Sequence, residues 1–130
     1  MKAYWDSSAV IEACSSPVLR ARLHRERGFT RTHTLAEVFS TLTGGNLAIR
    51  LDADAAAQTA GNLAADLDFL DLTAAEVLKA MNEARKKGVR GGRIHDYLHA
   101  VAAQKSGAKA LLTLDKNDFN GLTTVEIEQV

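Results

Sequence analysis

Short apolar runs that end in aspartate alternate along this chain with amphipathic segments of helical period, and that alternation constrains its fold more than any other feature. Ala110-Leu111-Leu112-Thr113-Leu114 is the clearest buried strand and runs into Asp115. Ala3-Tyr4-Trp5 runs into Asp6, and Leu67, Phe69 and Leu70 run towards Asp71. Weaker strands are expected over Phe29 to Thr32 and around Val125 and Ile127. Apolar runs joined through helices belong to parallel sheets, whose strands are covered on both faces.

The helical segments carry their own punctuation. Ser16-Pro17 sets a capping residue before a proline at the first helical position, with Val18, Leu19 and Leu23 as the buried stripe and Gly28 as the stop. Thr34-Leu35-Ala36-Glu37 and Thr73-Ala74-Ala75-Glu76 both match a capping box. The first is followed by a stripe of Leu35, Val38, Phe39 and Leu42, the second by Val77, Leu78, Met81 and Ala84 with Gly88 as the stop. Further helices are expected from Ser8 to Ala13, from Asp52 to about Asp66 despite Gly61, and from Arg93 to Ser106 ending at Gly107. The expected fold is α/β: three layers, with a short, mainly parallel sheet of four or five strands flanked by helices and joined by right-handed crossovers. With 130 residues it should form a single domain over 1–130 whose core needs no disulfide.

Sixteen Lys and Arg balance sixteen Asp and Glu, so bulk charge cannot hold a nucleic acid and any such contact must come from a local patch. The lone Cys14 cannot pair within the chain, no apolar run approaches a membrane span, and the N-terminus lacks a signal core. A soluble protein of the cytoplasm is expected.

Ligands of open parallel sheets bind outside the carboxyl ends of the strands. Asp6 and Asp115 follow strands, while Asp96 and Glu37 stand in the first turns of helices. If the four converge, like charges repel, and a hard divalent cation such as Mg²⁺ or Mn²⁺ is the natural partner. Each acid also has a local structural reading. Asp6 can cap a helix, Asp115 can hold a turn, Asp96 can face a helix dipole, and Glu37 can cap as Glu76 does.

Four motifs occur in order: Asp6-Ser7-Ser8-Ala9-Val10, Thr34-Leu35-Ala36-Glu37-Val38, Ile94-His95-Asp96-Tyr97-Leu98-His99-Ala100 and Thr113-Leu114-Asp115-Lys116-Asn117-Asp118-Phe119. In this the chain is similar to PIN-domain ribonucleases, and resembles most the VapC toxins of type II toxin–antitoxin modules. The resemblance covers essentially the whole chain and implies a PIN-like fold. It also implies a metal-dependent endoribonuclease that leaves 5′-phosphate and 3′-hydroxyl ends. Catalytic acids would be Asp6, Glu37, Asp96 and Asp115, with Asp6, Asp96 and Asp115 on Mg²⁺ or Mn²⁺. Asp118, Thr113 and Ser7 match auxiliary positions. Trp5 departs from the pattern, being bulkier than the aliphatic residue usual there.

Arg85 to Arg93 holds five cations in nine residues. It reads either as a solvated helix end or as a phosphate-binding rim, in which Lys86, Lys87, Arg90 and Arg93 would contact RNA. His95 and His99 share a helix face, but no Cys or third histidine in the sequence pattern completes a zinc set, so structural or surface roles are expected. Cys14 is expected to be a small buried apolar group, and Gly44-Gly45 and Gly91-Gly92 to be turns. Expected partners are RNA, a cognate antitoxin and a second copy in a homodimer, whose interface would use Val18-Leu19-Leu23 and Leu35-Phe39-Leu42. Two other classes remain open: a phosphoacceptor receiver-like domain, against which Ser7-Ser8 stands where an acidic residue is wanted, and a catalytically silent PIN-like binding module.

Overall fold

The computed structural model describes residues 2–44 and 50–130. Its elements are β1 (Ala3–Trp5), α1 (Ser7–Ala13), α2 (Pro17–Glu26), β2 (Gly28–Arg31), α3 (His33–Gly44), α4 (Ala53–Ala64), β3 (Leu67–Leu70), α5 (Ala74–Lys86), α6 (Arg93–Ser106), β4 (Ala110–Thr113), a 3₁₀ turn (Lys116–Phe119) and β5 (Glu126–Gln129). The strands make one sheet in the order β3-β2-β1-β4-β5. Every pairing is parallel, with Tyr4 opposite Phe29 on one side and Leu111 on the other. This order differs from the 2-1-3-4-5 order of receiver-like folds, which sets that alternative aside.

Strand side chains alternate between faces. Tyr4 and Leu111 point into a core with Ala80 and Ala84 of α5, Tyr97, Leu98 and Ala102 of α6, and Phe119. Trp5 and Leu112 point the other way, among Val10 of α1, Leu23 of α2, Val38 of α3 and Leu63 of α4. Fully burying a leucine such as Leu111 or Leu112 contributes about 1.5–3 kcal/mol, so the central strands anchor both layers.

The helix ends follow their chemistry in most places. Ser16 accepts from Leu19 N–H ahead of Pro17, Asp52 caps α4, and Thr73 and Glu76 form the reciprocal box at α5. Gly88, at φ 73°, and Gly107, at φ 75°, take the left-handed conformation after α5 and α6.

Several expectations are corrected. Gly28 does not stop α2: Arg27 ends it with a positive φ of 58°, and Gly28 opens β2. Thr34 does not cap α3, which already begins at His33; its buried hydroxyl pairs with Thr30 Oγ1 at 2.7 Å. The stripes are also narrower than their spacing suggests. Val18 is 83% exposed, and Phe39, Leu78 and Met81 also face solvent, while Ala80 and Ala84 do the packing on α5. Cys14 is only half-buried. Gly44 ends α3 and Gly45 lies outside the described residues. Among the described residues no helix is long and apolar enough to cross a membrane.

Candidate active site at the switch of strand order

From β1 the chain steps outward through β2 and β3, then returns to the other side of β1 for β4 and β5. The switch of direction therefore lies between β1 and β4, where an open parallel sheet leaves a crevice at its carboxyl edge. Asp6 and Asp115 follow these two strands.

Asp6 is buried and also caps α1. Its Oδ1 accepts from Ala9 N–H at 2.9 Å and from the Ser8 hydroxyl at 2.7 Å. Both bonds fall on one oxygen, and among the described residues none engages Oδ2. Ser8 ties the crevice together, because its oxygen also accepts from Leu114 N–H at 3.0 Å and lies 3.3 Å from Thr113 Oγ1. The sequence pattern gives no sign of this role for Ser8, whose partners at the end of β4 and just beyond it lie more than a hundred residues away.

Asp115 is exposed at the start of the 3₁₀ turn, where Oδ1 accepts from Asn117 N–H at 2.9 Å. Its own N–H donates to the buried Thr113 hydroxyl at 3.3 Å. The same turn carries Asp118, and α6 brings Asp96 in its first turn. Partial burial, then the charges of Asp118 and Asp6, raise the Asp96 carboxyl above its ordinary value. Asp118 is raised likewise, by desolvation and then by Asp115 and Asp6. Asp96 thus feels the charges of Asp118 and Asp6, and Asp118 those of Asp115 and Asp6. Arg93 lowers both Asp96 and Asp118 while its guanidinium donates to Asn120 O at 2.9 Å.

Glu37 stands apart from this group, beside His99. Burial pushes its carboxyl up, but hydrogen bonding with His99 and Ser7 and the charge of His33 bring it below its ordinary value. Its Oε1 lies 3.5 Å from His33 Nε2 and 3.7 Å from His99 Nε2. By strict geometry that oxygen is buried without a hydrogen-bond partner among the described residues. His99 is itself buried, with Nδ1 2.7 Å from the Tyr4 hydroxyl and Nε2 2.9 Å from Ser7 Oγ. Ser7 therefore meets α6 rather than Asp6. His95 is exposed and stacks on His33, with ring centroids 6.2 Å apart.

The basic segment divides. Lys86 and Lys87 line a groove of about 670 Å³ between α5 and α6, with Lys87 over the Tyr97 ring. Arg90 lines a second depression with Met81 and Ile94. Of the four cations, Arg93 is the one that lowers both Asp96 and Asp118.

The sequence matches the PIN domain family over residues 3–122. A crystal structure of PAE2754 from Pyrobaculum aerophilum shares the fold with a TM-score of 0.71 over 98% of this chain and 88% of that one, at 19% identity. Comparison with curated proteins gives no significant match. With a family match running from β1 past the 3₁₀ turn, the chain belongs to the PIN domain family, a family of nucleases.

Proposed function

We propose that the chain is a metal-dependent endoribonuclease that hydrolyses RNA phosphodiester bonds and serves as the toxin of a toxin–antitoxin pair in the cytoplasm. The observation that carries this reading is the placement of Asp6 and Asp115 after the two strands that flank the switch of strand order, where burial, Asp118 and Asp6 raise the Asp96 carboxyl. Crowded carboxylates disfavour one another's charge, and a cation that joins them removes that repulsion.

The donors suit Mg²⁺ or Mn²⁺, because all of them are carboxylate oxygens. Among the described residues no group of three or more His, Cys, Asp or Glu side chains is placed to hold a metal ion by itself. Mg²⁺ does not need one, because it keeps several waters and takes one or two carboxylates together with substrate phosphate oxygens. Asp6, Asp96 and Asp115 would hold the ion, with Glu37 and Asp118 joining directly or through water. When bound, such an ion supplies Lewis acidity to the phosphoryl group and lowers the pKa of water.

The remaining work belongs to the chain. Ala9 N–H and Ser8 fix one oxygen of Asp6 and leave the other for the ligand. Thr113 fixes the backbone of Asp115. Arg93 offers a cation beside the acids, with Lys86, Lys87 and Arg90 extending the phosphate path along α5 and its loop. Clustered carboxylates also suit a guanidinium from an antitoxin tail. Exposed Val18 and Phe39 support a homodimer through α2 and α3.

Labelled RNA incubated with the purified chain in Mg²⁺, Mn²⁺ or EDTA tests the reading. Internal cleavage with either metal, 5′-phosphate product ends and silence in EDTA are expected. Undiminished cleavage in EDTA, or no cleavage of any RNA in either metal, overturns it.

A further inference from the structure

We propose that His99 is a positioning residue of this site, whose Nε2–H edge holds Ser7 and Glu37 in place while Tyr4 fixes the ring from behind. The inference rests on the nuclease reading above and assigns a role to a residue outside the acid set.

The geometry is a chain across three elements. Tyr4 on β1, Ser7 on α1 and His99 on α6 are all buried, and the two bonds of 2.7 and 2.9 Å use both ring nitrogens of His99. Glu37 on α3 approaches the same Nε2, at 3.7 Å. A carboxylate oxygen only accepts, so the ring edge that faces it carries the hydrogen. With Nε2 protonated, Nδ1 is a bare acceptor, and the Tyr4 hydroxyl donates to it. Nε2–H then donates to Ser7 Oγ, which frees the Ser7 hydroxyl hydrogen for an acceptor such as the Glu37 carboxylate. The pattern matches the outer-shell partners that orient metal-site carboxylates and histidines in other proteins. The alternative direction, with Nδ1 protonated, would turn the Nε2 lone pair towards a carboxylate and leave the Tyr4 hydroxyl to find a different acceptor.

Two measurements on the whole chain test this. Imidazole ¹⁵N NMR of the wild type is expected to show His99 with hydrogen on Nε2 and a bare Nδ1, and Tyr4→Phe should erode that preference. RNA cleavage with Mg²⁺ is expected to fall in kcat by about 10–100-fold for His99→Leu at unchanged KM. His99→Gln, whose amide can place an N–H near Nε2, should recover most of the loss, which a purely structural role would not predict. A wild-type ring protonated only on Nδ1, or a folded His99→Leu chain that cleaves like wild type, overturns the proposal. Should His99→Leu fail to fold, His99→Gln losing as much kcat as an Ala substitution would overturn it. If the wild type cleaves no RNA, the nuclease reading falls, and the ¹⁵N spectrum still decides the hydrogen-bond chain.

Discussion

Ser8 bridges the ends of β1 and β4: its hydroxyl donates to Asp6 Oδ1 at 2.7 Å and its oxygen accepts from Leu114 N–H at 3.0 Å. Ser8→Ala removes both, leaving a backbone donor and one carboxylate lone pair without partners. A loss of about 1–3 kcal/mol in unfolding free energy is expected from denaturant melts. Cleavage should fall as well, since Asp6 loses the group that fixes its orientation. Stability equal to wild type would show that water takes over both bonds.

Trp5 and Gly28 are packed as a pair. A Cβ on residue 28 would meet the indole at 2.5 Å from Cδ1 and 2.7 Å from Nε1. Trp5 is 1% exposed, so the ring has nowhere to move. Gly28→Ala should cost about 1–3 kcal/mol by overpacking. In a Trp5→Val background the same change should cost much less, and a double-mutant cycle reads the coupling. Additive losses would contradict the pairing.

Stability should depend on pH through Asp66, far from the acid group. Arg20 donates to its carboxylate at 2.7 Å, which holds the carboxyl below its ordinary value, and His24 adds to the effect. A folded-state pKa below the unfolded one stabilises the fold above the unfolded pKa and loses that contribution as pH falls through the folded value. Asp66→Asn should therefore cost about 1 kcal/mol at neutral pH, a figure kept small because Arg20 is one-third exposed. The gap to wild type should close below about pH 4. A constant gap at all pH values would show that the charge contributes nothing.

The basic segment makes a prediction about salt. Replacing Lys86, Lys87 and Arg90 with Ala should weaken binding of single-stranded RNA and lower its salt slope by roughly 0.7 for each phosphate that is no longer neutralised. Metal affinity should barely change, because Arg93, the cation that lowers Asp96 and Asp118, is kept. Wild-type binding at every salt concentration would make the segment a solvated helix end.

What the sequence discloses, and what it hides, follows from the range of the interactions. The alternating runs, the caps of α2 and α5, and the left-handed glycines after α5 and α6 depend on neighbours a few positions apart, and all are readable. The two Thr-x-x-Glu tetrads show where that ends. Thr73 and Glu76 cap α5, but Thr34 bonds Thr30 inside the core and Glu37 turns to His99. No local pattern distinguishes them, because tertiary packing decides between capping and burial. Gly28 suggests backbone freedom, whereas its missing side chain is what the indole needs. His99 has the look of a structural or surface histidine because Tyr4 and Ser7 lie 95 and 92 residues away. Asp6, Asp96 and Asp115 stand out as acids at element ends, but their closeness to Asp118 is a property of the folded crevice.

The most direct test of the account is RNA cleavage under single-turnover conditions in Mg²⁺ by wild type, Asp96→Asn and Glu76→Gln side by side. The account predicts a loss of at least about 100-fold for Asp96→Asn, because it removes a carboxylate from the acid group at the switch of strand order. Glu76→Gln, which changes an exposed cap and its ion pair with Lys105, should cleave as wild type does. Equal rates for wild type and Asp96→Asn would contradict the assignment of this crevice as the active site.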